Sequence, residues 1–360
     1  MNESNEYQNE MKAALKTKDG EFEIEQVSIP KVAEPNWVVA RVRVAGICGT
    51  DLRHWKKPEP ELECKIMGHE LAGEVVEVGP EVKNVKPGDR VVIETVLGDG
   101  TCDWCNIQQY NLCPNLYPVR MKTLSQAFAQ YVAGPCYKFY KLPDNVSFEE
   151  ATLLDTFSVG LHAIQLSNIK LNDKVVVIGA GCIGLGELQL AKICGADVLI
   201  TDKEDSALQL AKELGADEVV NPDEEDVVER VKAFTNGRGA DIVFECAGGV
   251  AMPMTLPQAV NSCRIGGKVV IVGGFEKEQK DIPLDWSHIQ MAEIKIIPSA
   301  SYSYWGIYPE MQMTLDLLAK GKLNARKMIT HSFSLDDINK AFETARKKEQ
   351  SHAVFVALTI

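Results

Sequence analysis

The chain has 360 residues, 45% of them hydrophobic and 25% charged. That is the balance of a globular protein long enough for more than one core, and two domains are expected. A formal net charge of -13 argues against a nucleic-acid or anionic-membrane surface as partner, because both would be repelled. No run of about eighteen apolar residues is present to span a bilayer. The opening, Met1 to Met11, is polar and acidic and lacks the apolar stretch of a signal peptide. Ten scattered cysteines fit a reducing compartment better than a disulfide framework, so a cytoplasmic protein is expected.

From Met11 to about Val146 the sequence reads as short strands and turns. Alternation in Trp37 to Val44 and in Leu71 to Val78, broken at Gly79-Pro80 and at Pro87-Gly88-Asp89, predicts a compact, largely antiparallel sheet. Within this region lies Gly46-Ile47-Cys48-Gly49-Thr50-Asp51, followed by Gly68-His69-Glu70-Leu71-Ala72-Gly73. A thiolate, an imidazole and a carboxylate thus fall within about twenty-two residues, with glycines that let the backbone turn around them. Zinc used in catalysis has three protein ligands and one open position, and Cys48 and His69 supply two ligands of the right type. The alternative is a buried free thiol and a core histidine. The patterns further along the chain weigh against it.

From Leu171 the texture changes to buried strand, glycine turn, amphipathic helix and buried strand. Lys174 to Ile178, Gly184 to Cys194, Asp197 to Thr201 and Ser206 to Leu214 follow this order, with later strands at Ile242 to Glu245 and Lys268 to Val272. Such alternation predicts an α/β fold with a doubly wound parallel sheet. The run Glu224-Glu225-Asp226 reads as a solvated helix start. After about Ser301 helix and strand mix, ending in an apolar strand from Ala353 to Leu358.

Gly179-Ala180-Gly181-Cys182-Ile183-Gly184 directly follows the strand Val175 to Ile178 and opens a helix. This is the dinucleotide fingerprint in its proper context. Gly179 makes the tight turn, Gly181 lets the backbone approach a pyrophosphate, and Gly184 allows close helix-to-strand packing. The helix N-terminus, with Ile183 beside it, then receives the pyrophosphate. Asp202, at the end of the next strand, stands where a carboxylate takes the ribose hydroxyls and repels the extra phosphate of NADP, so NAD is favoured. Lys203 beside it is a cation that would partly offset that repulsion.

Cys48-Gly49-Thr50-Asp51, the run from Gly68-His69-Glu70 to Gly79, and Lys86-Pro87-Gly88-Asp89-Arg90-Val91 resemble the zinc-containing medium-chain alcohol dehydrogenases over nearly the whole chain. Their sorbitol (polyol) and threonine dehydrogenase branch is the nearest. The resemblance implies a mainly β, GroES-like catalytic domain at residues 1–160, completed by 302–360, and a Rossmann NAD-binding domain at 161–301. It also implies a lobe with structural zinc. Four cysteines hold that zinc in the family, whereas here Asp99 stands in the first place and Cys102, Cys105 and Cys113 fill the others; three thiolates and one carboxylate still make a tetrahedral set. Asp155 matches the carboxylate that meets the catalytic metal in sorbitol-type enzymes, directly or through water, and Glu70 is a further candidate ligand or orienting group. Thr50 matches the hydroxyl residue that touches the substrate alcohol and passes its proton on. At the position of the family's relay histidine stands Arg53, with His54 one residue later; arginine cannot accept a proton.

These implications together describe a homodimeric or homotetrameric oxidoreductase. It would carry one catalytic and one structural zinc and pass hydride from a secondary alcohol, such as a polyol, to NAD. An acid-rich, harder metal site suits chelation by neighbouring hydroxyls. The alternatives are an amino-alcohol dehydrogenase of threonine type, an NADPH-dependent aldehyde or enone reductase, and a non-catalytic binding protein of the same fold.

Overall fold

The computed structural model describes residues 10–55, 66–116, 124, 126–276 and 281–360, so most of the opening stretch lies outside the described residues. The chain divides into two compact units, residues 1–155 with 329–360, and residues 156–328. The second division falls later than the 301/302 boundary expected above, and a buried acid explains it. Glu310, in the helix Glu310–Ala319, is fully buried. Its carboxylate contacts His162 Nδ1 at 3.0 Å, Gln165 Nε2 at 2.9 Å and the Ser303 amide at 2.8 Å. Thr314 on the same helix meets the Ser158 hydroxyl at 2.9 Å. That helix therefore packs with the unit 156–328.

The first unit is built on a seven-stranded sheet with the spatial order Ile329–Ser334, Phe355–Thr359, Trp37–Gly46, Glu70–Val78, Arg90–Ile93 and Phe139–Lys141, with Tyr131–Pro135 also paired to Trp37–Gly46. All pairings are antiparallel except that between Ile329–Ser334 and Phe355–Thr359. A separate hairpin joins Glu10–Lys16 to Phe22–Ser28. The apolar positions of these strands, with Trp55, Phe128 and Phe342, close into one core.

The second unit carries a six-stranded parallel sheet in the order Glu218–Val220, Asp197–Thr201, Lys174–Ile178, Ala240–Glu245, Cys263–Ile271 and Lys295–Pro298. Numbered along the chain, that order is third, second, first, fourth, fifth and sixth, the Rossmann arrangement. Its strands read as unbroken apolar runs because helices cover both faces of such sheets; Val175 to Val177 and Val198 to Ile200 are fully buried. The acidic run ends in a helix cap, since the Asp226 carboxylate accepts from the Glu229 amide at 3.0 Å and opens the helix Val227–Phe234. No helix among the described residues is long and apolar enough to cross a membrane.

Candidate active site and metal centres

Strand pairing in the first unit brings the catalytic candidates together. Trp37–Gly46 and Glu70–Val78 run antiparallel with Gly46 opposite Glu70 and Ala45 opposite Leu71. The chain leaving one strand toward Cys48 therefore meets the chain entering the other through His69. The ligand atoms of Cys48, His69 and Glu70 all lie within 4.8 Å of one another. Cys48 is half-buried and the other two are buried. Burial pushes the Cys48 thiol up, the Glu70 carboxylate adds to the rise, and His69 opposes it. A soft thiolate, an imidazole and a carboxylate in one tight group is a donor set that fits zinc with a position left open.

Two neighbours hold this group in place. Asp51 accepts from the Cys48 amide at 3.0 Å through one oxygen, and its other oxygen stands 3.4 Å from His69 Nδ1. A carboxylate on Nδ1 turns the ring and leaves Nε2 for a metal. Thr95 donates its hydroxyl to the His69 carbonyl at 3.2 Å. Gly46 leaves the space: a Cβ there would stand 2.4 Å from Glu70 Oε2 and 2.4 Å from the Phe355 ring.

Thr50 and Arg53 lie on the short helix Gly49–Trp55 that starts directly after Cys48, and both are half-buried. Glu70 is the carboxylate whose ligand atom gathers with those of Cys48 and His69, brought there by the strand register. Asp155 lies buried in the first turn of the helix Leu154–Ser167, where a carboxylate is favoured by the helix dipole, and stays a candidate for the same metal.

Asp99, Cys102, Cys105 and Cys113 also gather their ligand atoms within 4.8 Å. Cys102 caps the short helix Asp103–Asn106, its sulfur accepting from the Cys105 amide at 3.5 Å, and Cys113 Sγ accepts from the Asp99 amide at 3.4 Å. Amide donors on sulfur stabilise thiolates. The Asp99 carboxyl is held well below the usual range by the Thr101 amide, the Asn115 side chain and the Cys102 amide. It is therefore anionic near neutral pH. Loss of water pushes the Cys105 thiol up to about 12. A divalent metal offsets that cost for a thiolate, so the four donors fit zinc.

In the second unit the glycine turn is built for close approach. Gly179 adopts a φ of 100°, and a Cβ at Gly184 would lie 1.8 Å from the Gly179 carbonyl oxygen. Gly181 caps the helix Cys182–Ile193. The first amides of a helix, Cys182 and Ile183 here, have no intrahelical acceptor and suit a phosphate. The two Asp202 oxygens accept from the Ala180 amide at 2.6 Å and the Glu204 amide at 2.9 Å, which fixes the carboxylate beside the turn. Lys203 is drawn to Asp223 at 3.3 Å.

Comparison with known proteins decides the family. Residues 34–144 match the alcohol dehydrogenase GroES-like domain and residues 182–320 match the zinc-binding dehydrogenase family. Sorbitol dehydrogenase of Bacillus subtilis is 34% identical over 93% of this chain and 93% of its own. Sorbitol dehydrogenase 1 of Saccharomyces cerevisiae is 34% identical over 93% of this chain and 94% of its own. The chain belongs to the zinc-containing medium-chain alcohol dehydrogenases, in the sorbitol dehydrogenase branch.

Solved structures agree. The (2R,3R)-butanediol dehydrogenase of Bacillus subtilis superposes with a TM-score of 0.82 at 32% identity, covering 97% of this chain and 99% of that one. An Escherichia coli alcohol dehydrogenase complexed with NADH gives 0.85 at 27%, covering 98% and 100%. A zinc-binding dehydrogenase of Sinorhizobium meliloti bound to NADP gives 0.85 at 28%, covering 98% and 100%. A nicotinamide cofactor is therefore common to the group, in either form. In this medium-chain dehydrogenase the residue that sequence reasoning passed over is Asp51. It was visible three places after Cys48, but its contact with His69 depends on the strand pairing.

Proposed function

We propose that this protein is a zinc-dependent dehydrogenase that oxidises a secondary alcohol of polyol type to a ketone with NAD as hydride acceptor. The observation that carries the reading is the meeting of Cys48, His69 and Glu70 within 4.8 Å, with Asp51 on His69 Nδ1. Bound zinc would supply Lewis acidity toward the substrate oxygen. Cys48, His69 and Glu70 would hold it, and Asp51 keeps the imidazole turned. Thr50, two residues from Cys48, receives the hydroxyl proton at Oγ1 and passes its own onward. Arg53, always charged, offers a fixed cation to an anionic group of cofactor or substrate rather than a proton acceptor. Asp99, Cys102, Cys105 and Cys113 hold a second, structural zinc.

Gly179, Gly181 and Gly184, with the Cys182 and Ile183 amides, receive the pyrophosphate, and Asp202 takes the ribose hydroxyls. Unit 156–328 thus serves the cofactor and the other unit the metals. The Asp202 carboxylate, fixed beside the glycine turn by the Ala180 and Glu204 amides, supports NAD over NADP, because it would repel a ribose phosphate. Relatives named for sorbitol and for butanediol support a polyol or diol substrate. A cytoplasmic homodimer or homotetramer belongs to the same reading. The strand Lys295–Pro298, at the sheet edge among the described residues, and the exposed Met291, Ile307 and Tyr308 support the oligomer, and light scattering checks it.

The test is a plate of polyols, vicinal diols, amino alcohols and hydroxy acids with NAD and with NADP, read by nucleotide reduction, with metal analysis of the same protein. Polyol-dependent NADH formation that disappears in Cys48→Ser and after chelation is expected. Full activity of metal-free protein, or no reduction with any alcohol, overturns the reading.

A further inference from the structure

Beneath the Asp99 lobe, in the same unit, lies a buried ion pair that the reaction does not use. Glu94 is 0% and Lys138 1% exposed, and Lys138 Nζ stands 2.7 Å from Glu94 Oε1. Tyr110 donates its hydroxyl to the same oxygen at 2.5 Å, and Tyr140 donates to Oε2 at 2.7 Å. The ammonium also sits 3.6 Å from the centroid of the Tyr110 ring. Replacing a buried ion pair by apolar residues of similar volume is often neutral or stabilising, because both ions lose their water. A buried pair is therefore weak evidence of a stabilising role.

Tyr110 is clamped at its hydroxyl by Glu94 and at its face by Lys138, and it opens the short turn Tyr110–Leu112 that ends at Cys113, whose amide donates to the Tyr110 carbonyl at 3.0 Å. Cys105 and Tyr110 border the same glycine: a Cβ at Gly98 would lie 2.4 Å from Cys105 Sγ, 3.0 Å from Tyr110 Cβ and 3.2 Å from Cys113 Cβ. Glu94 in turn precedes Asp99 by one short segment, and its amide donates to the Lys138 carbonyl at 2.9 Å. The network thus reaches Cys113 through the Tyr110 backbone and borders Gly98, against which Cys105 lies. Burial lowers the pKa of Lys138, and Glu94 and then Cys105 oppose that shift and favour its charged form.

We propose that the Lys138–Glu94 pair, acting through Tyr110, is the positioning element of the Asp99–Cys102–Cys105–Cys113 centre. It fixes Cys113 and the seat of Cys105 and presents an ammonium to a thiolate-rich, negatively charged metal site. This rests on the reading that the lobe holds zinc. Three thiolates and a carboxylate around a divalent ion carry two excess negative charges, and Cys105 is close enough to Lys138 to favour its charged form.

The experiment follows metal release from the full-length protein. Zinc-loaded wild type, Tyr110→Phe and the double variant Lys138→Met/Glu94→Gln are challenged with a chromogenic chelator. Released zinc and the reactivity of thiols with an aromatic disulfide are recorded together. In wild type about two zinc ions per chain are expected, one of them lost slowly with exposure of three thiols. The double variant removes both charges together and keeps one carbonyl acceptor, for one of the two tyrosine hydroxyls. It is expected to release the lobe zinc about tenfold faster or more, with the catalytic zinc and turnover retained. Tyr110→Phe, which loses a single hydroxyl, should shift release in the same direction. A purely structural role would lower the melting temperature of loaded and stripped protein alike and leave release unchanged. Release within about twofold of wild type in both variants overturns the proposal. Wild-type protein with about one zinc per chain overturns the lobe reading itself, and the positioning role falls with it.

Discussion

Gly46→Ala tests whether strand register builds the catalytic group. The new methyl would stand 2.4 Å from Glu70 Oε2 and 2.4 Å from Phe355 Cζ, against ordinary contacts near 3.5–4 Å, so about 1 Å of movement is required. Phe355 is 1% exposed in the strand Phe355–Thr359 and cannot retreat. Glu70 is the end of a flexible side chain and yields first, leaving Cys48 and His69 without their carboxylate. Overpacking of this size costs about 1–3 kcal/mol. With about 2.1 cal/mol/K of unfolding entropy per residue, a unit of roughly 190 residues should lose about 3–8 °C of its melting temperature. Gly49→Ala is the control, because nothing lies within 4 Å of a Cβ there; it should be neutral or slightly stabilising. Scanning calorimetry and zinc analysis of the two variants read both effects. If Gly46→Ala keeps its melting temperature and its zinc, the packing around Glu70 is not what the argument requires.

Three further outcomes follow from single side chains. Asp51→Asn should lower zinc affinity or turnover by about 10–100-fold, since it removes the charge that orients His69; unchanged metal retention and turnover would deny Asp51 that part. Asp202→Ala should cost NAD about 10–100-fold in kcat/KM, the equivalent of about 1.5–3 kcal/mol for a charge-assisted hydrogen bond, while NADP gains relative to it. Wild-type protein that uses NADP as well as NAD would refute this. Neither oxygen of the buried Glu187 has a hydrogen-bond partner among the described residues, and burial raises its carboxyl well above the usual range. The native state then keeps a proton that the unfolded chain releases above about pH 4.3, so stability falls as pH rises from there toward the native pKa. Glu187→Gln should remove that slope and raise the melting temperature more at pH 8 than at pH 5; parallel melting curves at both pH values would show that Glu187 does not titrate in this way.

Much of the second unit was legible because parallel strands are buried on both faces and announce themselves as apolar runs. The strands Lys174–Ile178 and Asp197–Thr201 fall where their sequences place them. The first helix begins at Cys182 rather than Gly184, since the fingerprint glycines belong to both turn and helix and periodicity cannot separate them. The helix Gly49–Trp55 was not legible at all. Its seven residues make fewer than two turns, too few to establish a period.

The carboxylate of the catalytic group shows the same limit from the other side. Asp155 and Glu70 were both visible as acids near an apolar run, and nothing local distinguishes a ligand from a helix-start carboxylate. What brings Glu70 to Cys48 and His69 is the pairing of Gly46 with Glu70, a contact between residues far apart in sequence. A slip of one residue would send the Glu70 side chain to the opposite face of the sheet and take the acid away from Cys48 and His69. The glycine at position 46 is thus part of the proposed metal-binding group although it offers no ligand atom: it is the residue that lets the register hold while the carboxylate occupies the space where a side chain would be.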